Sequence, residues 1–258
     1  MNDQPHIARK RFGQNFLHER GIIERILRAI DPQAGERIIE IGPGQGALTW
    51  PLLDRIKTLT AIEIDRDLIP RLHAEAPKHG ELQIVEADVL TVDFTALAAG
   101  GTIRLVGNLP YNISSPILFH ALDHAAVVRD MHFMLQKEVV ERMAAAHGNK
   151  VYGRLSVMLQ AYCRVDPLFT VPPGAFTPAP KVDSAIVRLT PKPAADIPPH
   201  DRARLETLVR HGFSQRRKTL RNALDDVATV AQMEAVGIDP GARAETVAVA
   251  DWLRLAAT

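Results

Sequence analysis

The sequence has little cysteine and no pattern of metal ligands. Cys163 is the one cysteine among 258 residues, so no disulfide can form within the chain. The ten histidines are scattered, and none lies with cysteine at the spacing of a zinc site. A chain without disulfides is typical of a reducing compartment. We therefore expect a cytoplasmic protein with no bound metal.

Long apolar runs and an excess of one charge are also missing. No stretch approaches the roughly 18 apolar residues of a membrane span, and Met1–Pro5 lacks the apolar core of a signal peptide. The 31 basic and 30 acidic residues give a net charge of +1, so the overall charge does not indicate a nucleic-acid partner. Any such partner would have to be bound by a local cluster of charge.

What is present is an alternation of helical and strand-like apolar runs. The predicted helices are Gly21–Ile30, Leu68–Ala76 and Ser115–Leu122, and the predicted strands are Arg37–Ile41, Leu59–Ile64, Leu82–Val85, Ile103–Val106 and Met131–Leu135. Segments between the strands are long enough for crossover helices. This order predicts an α/β fold with a doubly wound, Rossmann-like parallel sheet.

The composition changes after Asp166. Two β-like runs, Leu168–Val171 and Ala185–Leu189, flank a proline-rich connection and predict an antiparallel pair at the sheet edge. The segment Pro191–Pro199 has the composition of a linker, and the chain beyond it is polar and helical. We therefore expect a domain of residues 1–195 that binds a cofactor and a small helical domain of residues 196–258.

A glycine-rich loop, Glu40–Gly46, follows the first long strand. Its glycines let the backbone approach a nucleotide closely, but Gly42 and Gly44 fit a nicotinamide dinucleotide as well as S-adenosylmethionine. Glu63 ends the second strand, where a carboxylate can accept hydrogen bonds from ribose hydroxyls. Both cofactors carry that ribose, so the loop and Glu63 leave the choice open.

Two further motifs favour methyl transfer. Asp88 follows the third strand, where it can accept a hydrogen bond from an adenine amino group beside Ile64 and Val89. The tetrapeptide Asn108-Leu109-Pro110-Tyr111 follows the fourth strand. The Asn108 amide oxygen and a carbonyl of Leu109 or Pro110 can accept both hydrogens of an aromatic amine, which aims its lone pair at a methyl donor. A dehydrogenase requires neither motif, although a turn and a solvated acid are the purely structural alternatives.

With these residues in place, the chain resembles the small-subunit (16S) rRNA adenine N6,N6-dimethyltransferases (the KsgA/RsmA group), which are related to the rRNA methyltransferases of macrolide resistance. The resemblance covers nearly the whole chain. It is carried by the blocks Arg9–Leu17, Glu40–Gly46, Val106–Ser114, Met134–Glu138, Phe176–Ser184 and Phe213–Leu220. The chain departs from the family pattern at His18-Glu19, where an Asp is usual, and at Gln45 in the glycine loop.

The resemblance implies a site for S-adenosyl-L-methionine and a base-binding site. The implied cofactor-binding residues are Gln14, Asn15, Leu17, Gly42, Gly44, Glu63, Ile64, Asp88, Val89 and Asn108, with the Gln14–Leu17 segment closing over the cofactor. The implied catalytic residues are Asn108, Leu109, Pro110, Tyr111 and Phe176. Phe176 would lie near Tyr111 so that the target adenine stacks on one or both rings. Packing in the core is the alternative for Phe176.

Basic residues cluster in two places. The run from Arg210 to Arg221 has five basic residues and no acid, and a single helix would place Arg210, Arg217 and Arg221 on one stripe. Interruption of such a helix at Gly212 and Ser214 is the alternative. The RNA-binding residues expected from both clusters are Arg9, Lys10, Arg11, Arg210, Arg216, Arg217, Lys218 and Arg221. A solvated charged face is the alternative, and the family resemblance favours contact with RNA phosphates.

These observations predict an S-adenosylmethionine-dependent methyltransferase domain followed by a helical RNA-binding domain. The resemblance implies dimethylation of two adjacent adenosines in the 3′-terminal hairpin loop of small-subunit rRNA, by a monomer acting on a ribosomal subunit assembly intermediate. The alternatives are a nicotinamide oxidoreductase, a large-subunit rRNA adenine methyltransferase of the macrolide-resistance type, and a non-catalytic assembly factor that binds rRNA.

Overall fold

The structure, a computed structural model, describes residues 14–215 and 217–258. The chain forms two compact units. The first consists of the residues up to Lys137 together with Pro167–Thr190, and the second consists of Glu138–Asp166 and Pro191–Thr258. The domain division at residue 195 stays a prediction. The compact units differ from it mainly in that residues 138–166 belong to the second unit.

The structure contains the strands expected from the sequence and two further short strands, β1 and β8. They are β1 (Phe16–Leu17), β2 (Ile38–Ile41), β3 (Thr58–Glu63), β4 (Glu81–Glu86), β5 (Ile103–Asn108), β6 (Val128–Gln136), β7 (Cys163–Val171), β8 (Phe176–Thr177) and β9 (Ser184–Pro191). All seven runs predicted as strands are confirmed. The two-residue strands β1 and β8 were not predicted, because they are too short to show a periodicity.

The helices include the three predicted ones, α1, α3 and α5. They are α1 (Arg20–Ile30), α2 (Thr49–Ile56), α3 (Ile69–Glu75), α4 (Phe94–Ala98), α5 (Ser114–Asp123), α6 (Lys137–Ala144), α7 (Arg154–Tyr162), α8 (Arg202–Ser214), α9 (Leu220–Ala223), α10 (Val230–Ala235) and α11 (Val249–Ala256). Within the described ranges, no helix has the length and apolar character needed to cross a bilayer.

Seven strands form one sheet in the order β4-β3-β2-β5-β6-β9-β7, and β1 pairs with β8 in a separate two-stranded sheet. The pairs β3–β4, β2–β3, β2–β5 and β5–β6 are parallel, and β9 lies antiparallel to β6. The chain runs outward from β2 to β4 and then returns to place β5 on the other side of β2. This reversal is the point where doubly wound α/β proteins bind their ligands, so the predicted fold class is confirmed.

One hydrophobic cluster of the first unit lies between the sheet and the helices α1 and α2. Helix α1 contributes the buried face Ile26, Leu27 and Ile30, and α2 contributes Leu52 and Leu53. Glu19 caps α1, because its carboxylate accepts hydrogen bonds from the backbone N–H groups of Gly21 and Ile22 at 3.0 and 2.6 Å. The departure from the family pattern at this position therefore supplies a helix cap.

The basic run Arg210–Arg221 is not one helix. Helix α8 continues through Gly212 and ends at Ser214, and α9 begins only at Leu220. Gly212 is required within α8 for packing, since a Cβ there would lie 2.7 Å from the Trp252 ring. The single helix on which a stripe of Arg210, Arg217 and Arg221 depends is therefore not formed, and the interruption comes after Ser214 rather than at Gly212.

Candidate active site

A cavity of about 290 Å³ opens at the carboxyl ends of the parallel strands, where the strand order reverses between β2 and β5. It lies within the first unit. The residues that line it are Gln14, Asn15, Phe16, Leu17, Glu40, Ile41, Gly42, Pro43, Gly44, Gln45, Ala47, Leu48, Ile62, Glu63, Ile64, Ala87, Asp88, Val89, Asn108, Pro110, Asn112, Ile113 and Ile117. All ten residues expected to bind the cofactor are therefore brought to one cavity.

The glycine loop forms the turn between β2 and α2. Gly42 and Gly44 have φ angles of +67° and +57°, which side chains with a Cβ rarely adopt. Glycine is also needed at Gly107 in the adjacent strand β5, because a Cβ there would lie 2.5 Å from the carbonyl oxygen of Ile41. The backbones of β2 and β5 therefore lie close together where these strands end at the cavity. The glycine loop follows the end of β2 and Asn108 ends β5, so both lie at the same edge of the sheet.

Glu63 is buried at the end of β3, with 6% of its surface exposed. Its carboxylate accepts hydrogen bonds from the backbone N–H groups of Asp65 at 2.8 Å and Gly44 at 3.3 Å. Burial raises the pKa of Glu63, although these backbone donors act in the opposite direction. A carboxylate has about four acceptor positions, so Glu63 can still accept hydrogen bonds from a ligand in the cavity.

Asp88 follows β4 and begins a short 3-10 turn. Its carboxylate accepts a hydrogen bond from the backbone N–H of Leu90 at 3.0 Å, and the side chain is exposed. Val89 and Ile64 also line this part of the cavity, and Ile64 is 48% exposed despite its apolar side chain. An acceptor between two apolar side chains suits the amino group and the flat ring of an adenine.

Asn108 ends β5 with its side chain held in one orientation. Its Nδ2 group donates a hydrogen bond to the carbonyl oxygen of Asn15 at 2.9 Å. Within the described residues, no hydrogen bond engages the Asn108 Oδ1 atom, so the amide oxygen remains an acceptor. The next residue, Leu109, is fixed by a hydrogen bond from its N–H to the Met134 carbonyl at 3.1 Å. Because Nδ2 is bound to Asn15, the Asn108 Oδ1 atom is the group that can accept a hydrogen from an amine.

The Gln14–Leu17 segment borders the cavity and is tied to three parts of the unit. Gln14 Nε2 donates a hydrogen bond to Asp65 Oδ2 at 2.9 Å, and Asn15 receives the bond from Asn108. Leu17 pairs with Phe176 in the β1–β8 sheet. Because Asp65 also donates its N–H to Glu63, the segment is connected to the proposed ribose-binding acid.

Tyr111 and Phe176 differ from the other site residues in position. Neither residue lines the cavity. Tyr111 is half-buried, and its hydroxyl shares a 2.6 Å hydrogen bond with Ser184 Oγ at the start of β9. Phe176 is 3% exposed and packs in the core with Leu17, as in the alternative considered from the sequence. Leu109 is also buried away from the cavity, whereas Pro110 lines it.

The basic residues are only partly described. Four of them are exposed in the second unit: Arg210 in α8, Arg217 and Lys218 in the connection that follows, and Arg221 in α9. Arg9, Lys10, Arg11 and Arg216 lie outside the described residues. Phosphate binding by either cluster therefore stays a prediction.

Two buried groups at the site were missed by the sequence analysis. Glu40 was treated only as part of the glycine loop, yet it is 2% exposed and lines the cavity. Asp65 is 1% exposed and connects Gln14 with Glu63. The position of Glu40 near the end of a strand, two residues before Gly42, was the available signal. No signal in the sequence pointed to Asp65, because its contact with Gln14 spans 51 residues.

The cavity suits a nucleoside with a charged tail better than a metal ion. Acceptors from Glu63 and Asp88 and apolar surface from Ile64 and Val89 match a ribose and an adenine, and buried carboxylates match positive charge. In the described part of the chain, no group of three or more His, Cys, Asp or Glu side chains is arranged to hold a metal ion.

Two solved structures match the fold over nearly the whole chain. One is a dimethyladenosine transferase from Plasmodium falciparum, with a TM-score of 0.78 and 27% identity over 93% of this chain and 95% of the other. The second is the 23S rRNA methyltransferase ErmE, with a TM-score of 0.72 and 29% identity over 93% of this chain and 98% of the other. The fold and the cavity at the sheet edge are those of an S-adenosyl-L-methionine-dependent methyltransferase, and this protein belongs to that class.

Sequence comparisons narrow this class to a family. The family model described as Ribosomal RNA adenine dimethylase matches residues 6–258, so the chain belongs to that family. The protein named Ribosomal RNA small subunit methyltransferase A from Xanthomonas campestris pv. campestris is 64% identical over 96% of this chain and 95% of the relative. The protein of the same name from Xanthomonas oryzae pv. oryzae is 65% identical with the same coverage.

Proposed function

We propose that this protein dimethylates N6 of two adjacent adenosines in the 3′-terminal hairpin loop of small-subunit (16S) rRNA during biogenesis of the small ribosomal subunit. Support for the small subunit comes from relatives that carry that name and are 64–65% identical over 95% of their length. The large-subunit activity has weaker support, since ErmE is 29% identical. We further propose a cytoplasmic monomer that acts on an assembly intermediate, in keeping with the absence of disulfides.

The observation that carries the proposed chemistry is the orientation of Asn108. With Nδ2 bound to Asn15, Oδ1 accepts one hydrogen of the adenine amino group, and the backbone carbonyl of Leu109 or Pro110 accepts the other. An aromatic amine is a weak nucleophile because its lone pair is delocalised into the ring. Two acceptors draw the nitrogen toward a tetrahedral shape and direct that lone pair into the cavity.

The cavity residues bind and position the methyl donor. S-adenosyl-L-methionine supplies a methyl group attached to a positively charged sulfur. Glu63 accepts hydrogen bonds from the ribose hydroxyls, and Asp88, Ile64 and Val89 hold the adenine of the cofactor. Gly42 and Gly44 allow close backbone approach, while Gln14, Asn15 and Leu17 close over the site. Correct alignment of two reactants accounts for about 7–11 kcal/mol of a barrier, so positioning is the main task of these residues.

Base binding and RNA binding complete the proposal. Tyr111, held by Ser184, offers a ring to the target adenine. Stacking contributes about 1–3 kcal/mol per base, which offsets part of the cost of extracting the base from its strand. Phe176 contributes a second ring only if its side chain leaves the core. The exposed basic residues Arg217, Lys218 and Arg221 contact rRNA phosphates, together with Arg210 and Arg216 and the Arg9, Lys10 and Arg11 cluster.

The test is methylation of undermethylated small ribosomal subunits with a labelled methyl donor, followed by mass mapping of the rRNA. We expect two dimethylated adenosines at adjacent positions in the 3′-terminal hairpin. Undermethylated large subunits serve as the matched control substrate. Modification of large-subunit rRNA alone would support the macrolide-resistance type of activity, and binding of the subunit without label transfer would support a non-catalytic assembly factor.

A further inference from the structure

Glu40 is a buried carboxyl at the floor of the cavity for which the methyl-transfer steps above require no role. In the sheet, Glu40 is paired with Ala61 of β3 and with Val106 of β5. Glu63 and Asn108 each lie two residues beyond those partners, so their side chains are on the same face and one step nearer the edge. Glu40 therefore lies between the acid and the amide, below the centre of the site.

The surroundings of Glu40 contain no compensating positive charge among the described residues. Its Oε2 atom accepts a 2.7 Å hydrogen bond from Thr49 Oγ1 of α2. The charged group that acts on it is Glu63 of β3, which has the same sign, while Thr49 of α2 and Asn108 of β5 are uncharged. Burial and Glu63 raise the pKa of Glu40 to about 7, so its carboxyl is partly protonated at neutral pH.

A cation in the cavity changes this balance. A positive charge close to a carboxyl favours the ionised form, most strongly where water is excluded. The methyl donor carries a positively charged sulfur, whereas the product S-adenosyl-L-homocysteine has a neutral thioether in its place. The amino and carboxylate groups are common to both ligands, so the reaction removes one positive charge from the cavity that Glu40 lines.

We propose that Glu40 releases a proton to solvent when S-adenosyl-L-methionine binds and takes one up when S-adenosyl-L-homocysteine remains, so that the site distinguishes donor from product by charge. This inference rests on the proposed function, because it requires the cavity to be the cofactor site. Ionised Glu40 beside Glu63 is unfavourable without a cation. The product is accordingly held more weakly, relative to the donor, as the pH rises.

The first measurement is calorimetric affinity of both ligands between pH 6 and pH 8. Binding that requires loss of a proton from a group with a pKa near 7 strengthens as the pH rises through that value. For the wild-type protein we expect the affinity for S-adenosyl-L-methionine to increase about five- to tenfold over this range. The affinity for S-adenosyl-L-homocysteine should show no comparable increase.

The Glu40→Gln variant isolates the carboxyl, because glutamine keeps the size and can accept the bond from Thr49. We expect the pH-dependent gain in donor affinity to disappear in this variant. The amino group of either ligand titrates near pH 8, but it contributes equally to wild type and variant. Glu86→Gln is the matched control, since Glu86 ends β4 at the surface, and this variant should keep the wild-type trend.

Proton counting tests the same proposal on the wild-type protein alone, should Glu40→Gln fail to fold. Titrations at pH 7 in two buffers with different ionisation enthalpies should show release of about half a proton more with the donor than with the product. Equal proton release with both ligands, or an unchanged pH trend in Glu40→Gln, would overturn the role of Glu40 while leaving the cofactor site intact. Failure of the wild type to bind S-adenosyl-L-methionine at any pH would overturn the proposed function as well.

Discussion

At the amino ends of the parallel strands, Arg104 pairs with Asp130 at 2.9 Å and with Glu36 at 2.7 Å, whereas at the carboxyl ends Glu40 and Glu63 have no cation among the described residues. Burial acts to raise the pKa values of Asp130 and Glu36, but their polar partners lower both. The partners are His132 and Arg104 for Asp130, and the Gln33 backbone N–H and Arg104 for Glu36. Burial raises the pKa of both Glu40 and Glu63.

The difference shows how one sheet separates structure from function. At the amino edge, Arg104 also donates a hydrogen bond to the Ile30 carbonyl at 2.6 Å, so the charges fasten the end of α1 to the sheet. At the carboxyl edge, the partners of the Glu40 and Glu63 carboxyl groups among the described residues are a hydroxyl and backbone N–H groups. Buried negative charge is costly unless a ligand balances it. This edge is therefore suited to a positively charged cofactor.

The largest expected effect is on stability, from Arg104→Ala. The substitution leaves the buried Asp130 without Arg104 and leaves Glu36 paired with Arg129. Removal of one partner from a buried ion pair typically costs about 3–5 kcal/mol. Urea unfolding at pH 7 measures this loss. Arg129→Ala is the control, because the Arg129 side chain is 58% exposed and its pairing with Glu36 contributes about 1 kcal/mol or less. If Arg104→Ala lowers the unfolding free energy no more than Arg129→Ala does, the claim that ion pairs stabilise the amino edge of the sheet would be contradicted.

The pH dependence of stability should have opposite signs at the two edges. Glu40 has a raised pKa, so its neutral form stabilises the fold at low pH, and this stabilisation is lost as the pH rises from 4.5 toward about 7. Relative to wild type, Glu40→Gln should therefore gain about 2–3 kcal/mol in unfolding free energy between pH 5 and pH 8. Urea titrations at the two pH values measure this gain.

Asp130 and Glu36 act in the other direction. Because their pKa values are lowered in the fold, their stabilisation is complete above the ordinary values of 3.8 and 4.5 and is lost as the pH falls below them. A constant difference between Glu40→Gln and wild type from pH 5 to pH 8 would contradict the assignment of Glu40 as a buried acid without a counter-ion.

A smaller effect is expected on cofactor affinity from Glu63→Ala. Hydrogen bonds to a charged group contribute about 1.5–3 kcal/mol, so loss of the carboxylate should weaken binding of S-adenosyl-L-methionine about ten- to hundredfold. Calorimetry at fixed pH gives the value. Glu86→Ala, at the exposed end of the adjacent strand, should bind normally. Equal affinity in wild type and Glu63→Ala would remove Glu63 from the site.

Much of the fold and most of the cavity followed from the sequence, because both depend on local patterns. Continuous apolar runs, such as those of β2, β3, β5 and β6, are typical of a parallel sheet. The carboxyl ends of the strands in such a sheet lie at one edge. The sequence therefore predicts one shared site for Glu63, Asp88 and Asn108.

The remaining features depend on contacts between distant residues. The charge state of Glu40 follows from burial and from Glu63, and the connection from Gln14 through Asp65 to Glu63 follows from how the segment before α1 folds back. Whether the basic run forms one helix was left open by the sequence, and α8 ends at Ser214. Phe176 is paired with Leu17 in the β1–β8 sheet, and its side chain packs in the core instead of lining the cavity.

The most direct test of the account is the single-turnover rate of methyl transfer to undermethylated small subunits by Asn108→Ala, with cofactor saturating. Removal of one preorganised hydrogen-bonding group at a reacting centre costs about 10²–10³-fold in rate. We predict a loss of that size, with the affinity for S-adenosyl-L-methionine weakened less than about tenfold because Glu63 and Asp88 remain. A near-normal rate in Asn108→Ala would contradict the claim that the Asn108 amide orients the adenine amine.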